Sequence, residues 1–208
     1  MLKSNREWIL ANRNKSLETL IVSFGCVGIT LVTLGIIRDF VLDNSSFLGM
    51  MLKLYGPDQT LANWYQPVAL AACALLLFLV AYEVSGRHQA RWLILAALFI
   101  TMSIDDSVNV HSLVLGPLDA EIGEWGVVLA LLIPTAILSI YLAPMLRDMS
   151  KREAFSFSVC AVVFIMGAIV LEAVAGPLVA ESAETIGMVG TLWTLSRFRH
   201  EHERFRDL

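Results

Sequence analysis

The sequence predicts an all-α fold, a six-transmembrane-helix bundle with both N and C termini cytoplasmic. Three observations carry that reading. The 208 residues are 57% hydrophobic and only 16% charged, with a mean hydropathy of +0.69, a composition that a soluble domain of this size does not carry. Apolar runs of about 20 residues, the length that crosses a hydrocarbon core, recur along the chain with short polar breaks. Basic residues gather on alternate connections, as the positive-inside rule requires.

The elements follow in chain order. Residues 1–16 form a cytoplasmic amphipathic segment, in which "SNRE" at Ser4 to Glu7 has the spacing of a capping box. The apolar run after it is too long for a signal-peptide core and lacks a small-residue cleavage site, so no cleaved leader is expected. The transmembrane domain is expected over 17–198, with spans at 17–42, 67–84, 92–115, 126–146, 155–175 and 179–198. Each must be helical, because lipid offers the backbone no partners outside its own segment.

Between the first two spans, "SSFLGMMLKLYGP" predicts an outer interfacial helix at about 45–56. Ser45 or Ser46 caps it, Phe47, Met50, Met51 and Leu54 give an apolar face, and Gly56-Pro57 stops it. The other loops are short, which makes consecutive helices antiparallel neighbours in a single bundle. The charged tail 199–208 is cytoplasmic and suits anionic lipid headgroups.

Several residues have local explanations. Trp64, Tyr65, Trp92 and Trp125 stand near span ends, where amphipathic rings form an interfacial belt. Cys26, Cys73 and Cys160 fall in three different spans without a CxxC pair and read as small core residues. Pro134, Pro144, Gly167, Gly187 and Gly190 permit kinks or close helix approach. His88, His200 and His202 lie in basic segments and are expected at the surface.

Orientation follows from charge. Thirteen of the fifteen Lys and Arg residues fall on the side that carries both termini, leaving only Arg38 and Lys53 on the other. Eleven of the nineteen acids divide the opposite way, so the outer half is net −9 and the inner half +5. An acidic outer vestibule attracts cations through its summed field. The expected location is therefore the cell inner (plasma) membrane, with the lipid bilayer and a second copy or a larger membrane complex as partners, and no nucleic acid.

The functional question centres on "FITMSIDDSVNVHS", which places Asp105, Asp106 and His111 inside apolar sequence. At 1.5 Å per residue, Asp105 and Glu184 each lie about 20 Å from the inner boundary, Glu172 and Glu181 about 25 Å, and His111 about 30 Å. Carboxylates at such depth cost several kcal/mol each unless paired, protonated or hydrated, so acids of different helices at one level are expected to share a pocket. Asp105, Asp106, Glu181, Glu184 and Glu172 are the candidate cation- or proton-binding residues. On an unbroken helix Asp105 and His111 point in different directions, which leaves His111 as a vestibule residue unless the helix distorts.

Two chemistries fit. Asp105, Glu184 and His111 offer an oxygen-rich site with one nitrogen ligand, suited to a divalent metal. Alternatively, closely spaced acids cannot all ionise, and one of them holds and relays a proton. The spacing matches neither Glu-x-x-His nor His-Glu-x-x-His. The acids of the third and sixth spans both lie in the outer half, which argues against an inverted-repeat transporter plan.

"IDDSVNVHS" and "ESAETIGMVGTLW" resemble a loose group of uncharacterised bacterial polytopic membrane proteins with an acid pair and His in one span and Glu residues in the last. Asp106 and Ser112 stand where that group is expected to have Glu, and the resemblance implies no activity. Alkaline-ceramidase-like hydrolases combine membrane Asp, Ser and His residues too, but need a His-x-x-x-His pair that is absent here. The leading expectation is a cation-binding protein with an extracytoplasmic-side carboxylate pocket, acting as an ion-coupled transporter or channel. The alternatives are a membrane-embedded metal-dependent enzyme acting on a lipid or isoprenoid, and a structural subunit of a larger membrane complex.

Overall fold

A computed structural model of the chain describes residues 2–41, 61–84, 86, 88–108 and 110–206, and the elements they form are all helical. The interfacial helix expected at about 45–56 lies outside the described residues. Helix α1 runs unbroken over Leu2–Val41, so the amphipathic start of the chain and the first apolar run share one helix. Helix α2 is Leu61–Glu83 and α3 is Gln89–Val108. The turn between them contains Gly86 at φ 107, a left-handed value that glycine alone takes cheaply.

Helix α4, Val110–Leu142, is broken at Gly123 (φ 73, ψ 163) and continues into a 3-10 turn, Ala143–Asp148. Helix α5, Lys151–Met166, opens on a capping box in which Glu153 N–H donates to Ser150 Oγ at 3.4 Å and Ser150 N–H to Glu153 Oε2 at 3.0 Å. It widens into a π turn at Gly167–Leu171, recovers as the short α6, Glu172–Ala175, and stops at Gly176. Pro177 then opens α7, Pro177–Arg206, at a position where its missing N–H costs nothing.

The third span, expected over 92–115, is helical on both sides of residue 109, which lies outside the described residues: α3 is described to Val108, and α4, which carries His111 and Ser112, from Val110.

Among the described residues, four helical segments are long and apolar enough to cross a membrane: Thr19–Arg38, Trp64–Glu83, Trp125–Asp148 and Lys151–Leu171. The other two expected spans are helical but more polar. Helix α3 carries Arg91, Asp105 and Asp106, and α7 carries Glu181, Glu184 and charged C-terminal turns.

Helix α2 is central, with 61% of its apolar segment buried against 11% for that of α4. The helices alternate in direction, which gives the bundle two distinct ends. At the basic end, Trp92 is 0% exposed, stacks on Phe198 at 5.8 Å and meets Phe157 edge-on at 6.3 Å, within a core that includes Leu77, Met145 and Leu195. Trp92 is thus core rather than belt, because α3 turns it inward onto α5 and α7. Tyr65 is buried as well, stacked on Phe24 at 4.8 Å with its hydroxyl donating to Phe24 O at 3.1 Å. Trp64 and Trp125 remain exposed, as a belt requires.

Candidate functional site

Two polar contacts set the register of the helices toward the acidic end. Ser103 Oγ of α3 donates to the Pro67 carbonyl of α2 at 2.8 Å. Gln66, the residue before that proline, donates through Nε2 to Glu181 Oε2 of α7. A third contact, Cys73 Sγ to Met188 O at 3.8 Å, ties α2 to α7 two turns lower. Residues 66, 67, 103 and 181 therefore stand at nearly one level, and Asp106 is within about one turn, 5.4 Å, of it.

The buried face of α3 runs through Trp92, Ala96, Phe99 and Ser103 at spacings of four, three and four residues. Three residues further along that stripe stands Asp106, whose Oδ2 is sealed from solvent. Asp105 lies roughly 100° around the helix from it, at 3.6 residues per turn, further from the buried face, and both acids are partly exposed. The acid that continues the stripe is Asp106.

The two acids of α7 approach different neighbours. Glu181 reaches α2 through Gln66, which is 5% exposed. Glu184 lies against α5, where a Cβ placed on Gly167 would stand 2.8 Å from both Glu184 Cγ and Glu184 N. Below this point the α5–α7 seam stays close, with Gly187 against Phe164 and Gly190 against Cys160, and Ser156 Oγ 3.0 Å from Thr194 Oγ1. The carboxylates of α3 and α7 thus stand at similar depth, with Glu181 facing α2 and Glu184 facing the π turn.

His111 and Glu172 open α4 and α6 respectively, and their side chains lie outside the described residues. Among the described residues, no three His, Cys, Asp or Glu side chains converge on a point where a metal ion would sit. Asp105, Asp106, Glu181 and Glu184 each engage an interaction partner.

The pairing of Gln66 with Glu181 has a definite chemical capacity. An ionised carboxylate only accepts hydrogen bonds, so the amide offers it N–H. A protonated carboxyl donates, and a rotated amide offers it the carbonyl oxygen. The pair is satisfied with the proton present or absent.

Arg38, which the charge count places at this end, is buried there, and the count alone does not reveal that. It is 4% exposed and continues the buried stripe Ile21, Gly25, Gly28, Val32 and Gly35 of α1. That stripe seats Gly28 against Tyr65 of α2 and Gly25 against Val189 of α7. A buried guanidinium is tolerated only with compensating partners, and Arg38 has one. Its signal in the sequence was the spacing from Ile21 in steps of three and four, not its charge.

A second polar group sits at the basic end. Asp148 Oδ1 is 2.7 Å from His88 Nδ1, and its Oδ2 accepts from Trp92 Nε1 at 3.0 Å. Arg199 Nε donates to Glu83 Oε1 at 2.8 Å, and the Arg91 guanidinium lies 5.2 Å from the centre of the Tyr141 ring. His88, expected at the surface, is half-buried because this cluster closes over it.

Residues 27–198 match the model of a domain of unknown function (DUF8692). No curated protein and no solved structure matches the chain.

Proposed function

The chain belongs to the DUF8692 family, and we propose that it is a six-span inner-membrane protein, both termini cytoplasmic, that binds a cation in its outer carboxylate centre. The cation is a proton, and its binding is coupled to transport. The observation that carries this reading is the Gln66–Glu181 contact, an intramembrane carboxylate whose neutral partner satisfies it in either protonation state. Asp106, on the buried stripe of α3 at similar depth, is the second proton-binding group. Arg38, buried at the same end of the bundle, offsets part of the acidic charge.

The test uses the purified full chain in liposomes with a pH-sensitive dye inside and a potassium diffusion potential as the driving force. Wild type is expected to move protons, and Glu181→Gln or Asp106→Asn to lower the rate at least tenfold. A folded wild type that moves protons no faster than Glu181→Gln overturns the reading. Elemental mass spectrometry on chelator-free protein runs alongside. A stoichiometric divalent metal lost in both Asp105→Asn and Glu184→Gln would instead support the lipid- or isoprenoid-directed enzyme.

A further inference from the structure

Helix α5 loses its α-helical register at one place, the π turn Gly167–Leu171, and the first residue of that turn is the one that touches Glu184. π turns are uncommon, form by inserting a residue into an α-helix and occur frequently at functional sites. Gly167 is buried, and its contact with α7 is tighter than a side chain permits. A Cβ there would lie 2.8 Å from Glu184 N, 2.8 Å from Glu184 Cγ and 2.9 Å from Ala180 O. Two of those three atoms belong to backbone, which cannot swing aside as a flexible side chain does.

The other close glycine contacts of the seam differ. At Gly190 the obstructing atom is Cys160 Sγ, a side-chain atom that truncation removes. At Gly187 the obstruction is the backbone and Cβ of Phe164, one turn nearer the basic end. Of these three glycines, only Gly167 meets a carboxylic-acid residue.

We propose that Gly167 is a positioning residue of the carboxylate centre. By bringing the π turn directly onto the backbone and stem of Glu184, it fixes where that carboxyl stands relative to Glu181, three residues earlier on the same side of α7. The inference rests on the proton-binding reading. A methyl at Gly167 would meet the Glu184 side chain directly through its Cγ, whereas it meets Ala180 only at the backbone carbonyl and does not touch the Glu181 side chain. Glu181 is held separately through Gln66.

The experiment is infrared difference spectroscopy on the full chain in liposomes, following protonated carboxyl C=O stretches as pH is changed. Glu184→Gln and Glu181→Gln assign the two bands. Gly167→Ala is expected to move the Glu184 band while leaving the Glu181 band in place. The double variant Gly190→Ala/Cys160→Ala, which alters the same seam away from the acids, is expected to move neither. A Glu184 band that stays at its wild-type position in Gly167→Ala overturns the positioning role and leaves the proton reading standing. If both bands move equally in Gly167→Ala, or if the control moves Glu184 as much, the effect is general repacking and the assignment also fails. A folded wild type in which neither carboxyl changes protonation overturns the proton reading, and this inference with it.

Discussion

The two ends of the bundle use the same helices for different ends. At the basic end, Leu77, Trp92 and Leu195 are fully buried, and charged groups meet fixed partners: Glu83 with Arg199, and Asp148 with both His88 and Trp92. At the acidic end, α5 widens into a π turn, α4 breaks at Gly123, and the acids remain partly exposed beside close glycine contacts. Interlocked aromatic packing has one good arrangement and resists displacement. A polar contact that holds with or without a proton, set beside an irregular helix, permits more than one. The basic end anchors the bundle, and the acidic end is where a change of state costs least.

The strongest way to break this comparison is Trp92→Ala. It removes a fully buried ring together with its bond to Asp148 and is expected to cost about 3–5 kcal/mol, as Trp-to-Ala core truncations do. Thermal unfolding in detergent measures it. Glu181→Gln is expected to leave the melting temperature within a few degrees of wild type while stopping proton movement. If the two variants destabilise alike, anchoring is not confined to the basic end.

Charge pairing at the anchor comes next. Glu83 and Arg199 side chains are 15% and 11% exposed, so Arg199→Gln should cost about 1.5–3 kcal/mol, the range for a hydrogen bond to a charged group. A double-mutant cycle with Glu83→Gln is expected to recover most of that as coupling. At the other end, Gln66→Leu is expected to cost only about 1 kcal/mol, because Glu181 is partly exposed. Its larger effect should be on proton movement. A stability cost at Gln66 that equals the cost at Arg199 would remove the distinction between the ends.

The sequence made the helical character and the helices long and apolar enough to cross a membrane legible, because hydropathy and backbone satisfaction are properties of local segments. Axial position along a helix is local in the same way, since the rise per residue is fixed. Direction around the helix was harder. Asp105 and Asp106 are adjacent, and only the Trp92–Ala96–Phe99–Ser103 stripe identifies the one that continues it. Trp92 near a span end looked like an interfacial belt residue, because periodicity cannot show that Phe157 and Phe198 close over it. Gln66 carried no signal at all, since a glutamine near a helix start becomes a site residue only when another helix brings it a carboxylate. Those partners are non-local, and one-dimensional spacing does not contain them.

The smallest effect is expected between the two ends, where α5 and α7 run closest. Ser156 Oγ and Thr194 Oγ1 are 3.0 Å apart across that seam. Both hydroxyls have a second partner or a local alternative, since Thr194 Oγ1 also donates to Gly190 O at 2.8 Å and a serine can bond back to its own helix. Interhelical hydrogen bonds in membranes are worth only about 0.6 kcal/mol on average, because the separated helices find other partners. Ser156→Ala should therefore lower stability by about that amount and leave proton movement unchanged. A loss several times larger would mean that the seam between α5 and α7 is held by its polar contact rather than by the close approach of Gly187 and Gly190. The acidic end would then inherit its position from the middle of the bundle, and the division into anchored and adjustable halves would have to be redrawn at Ser156.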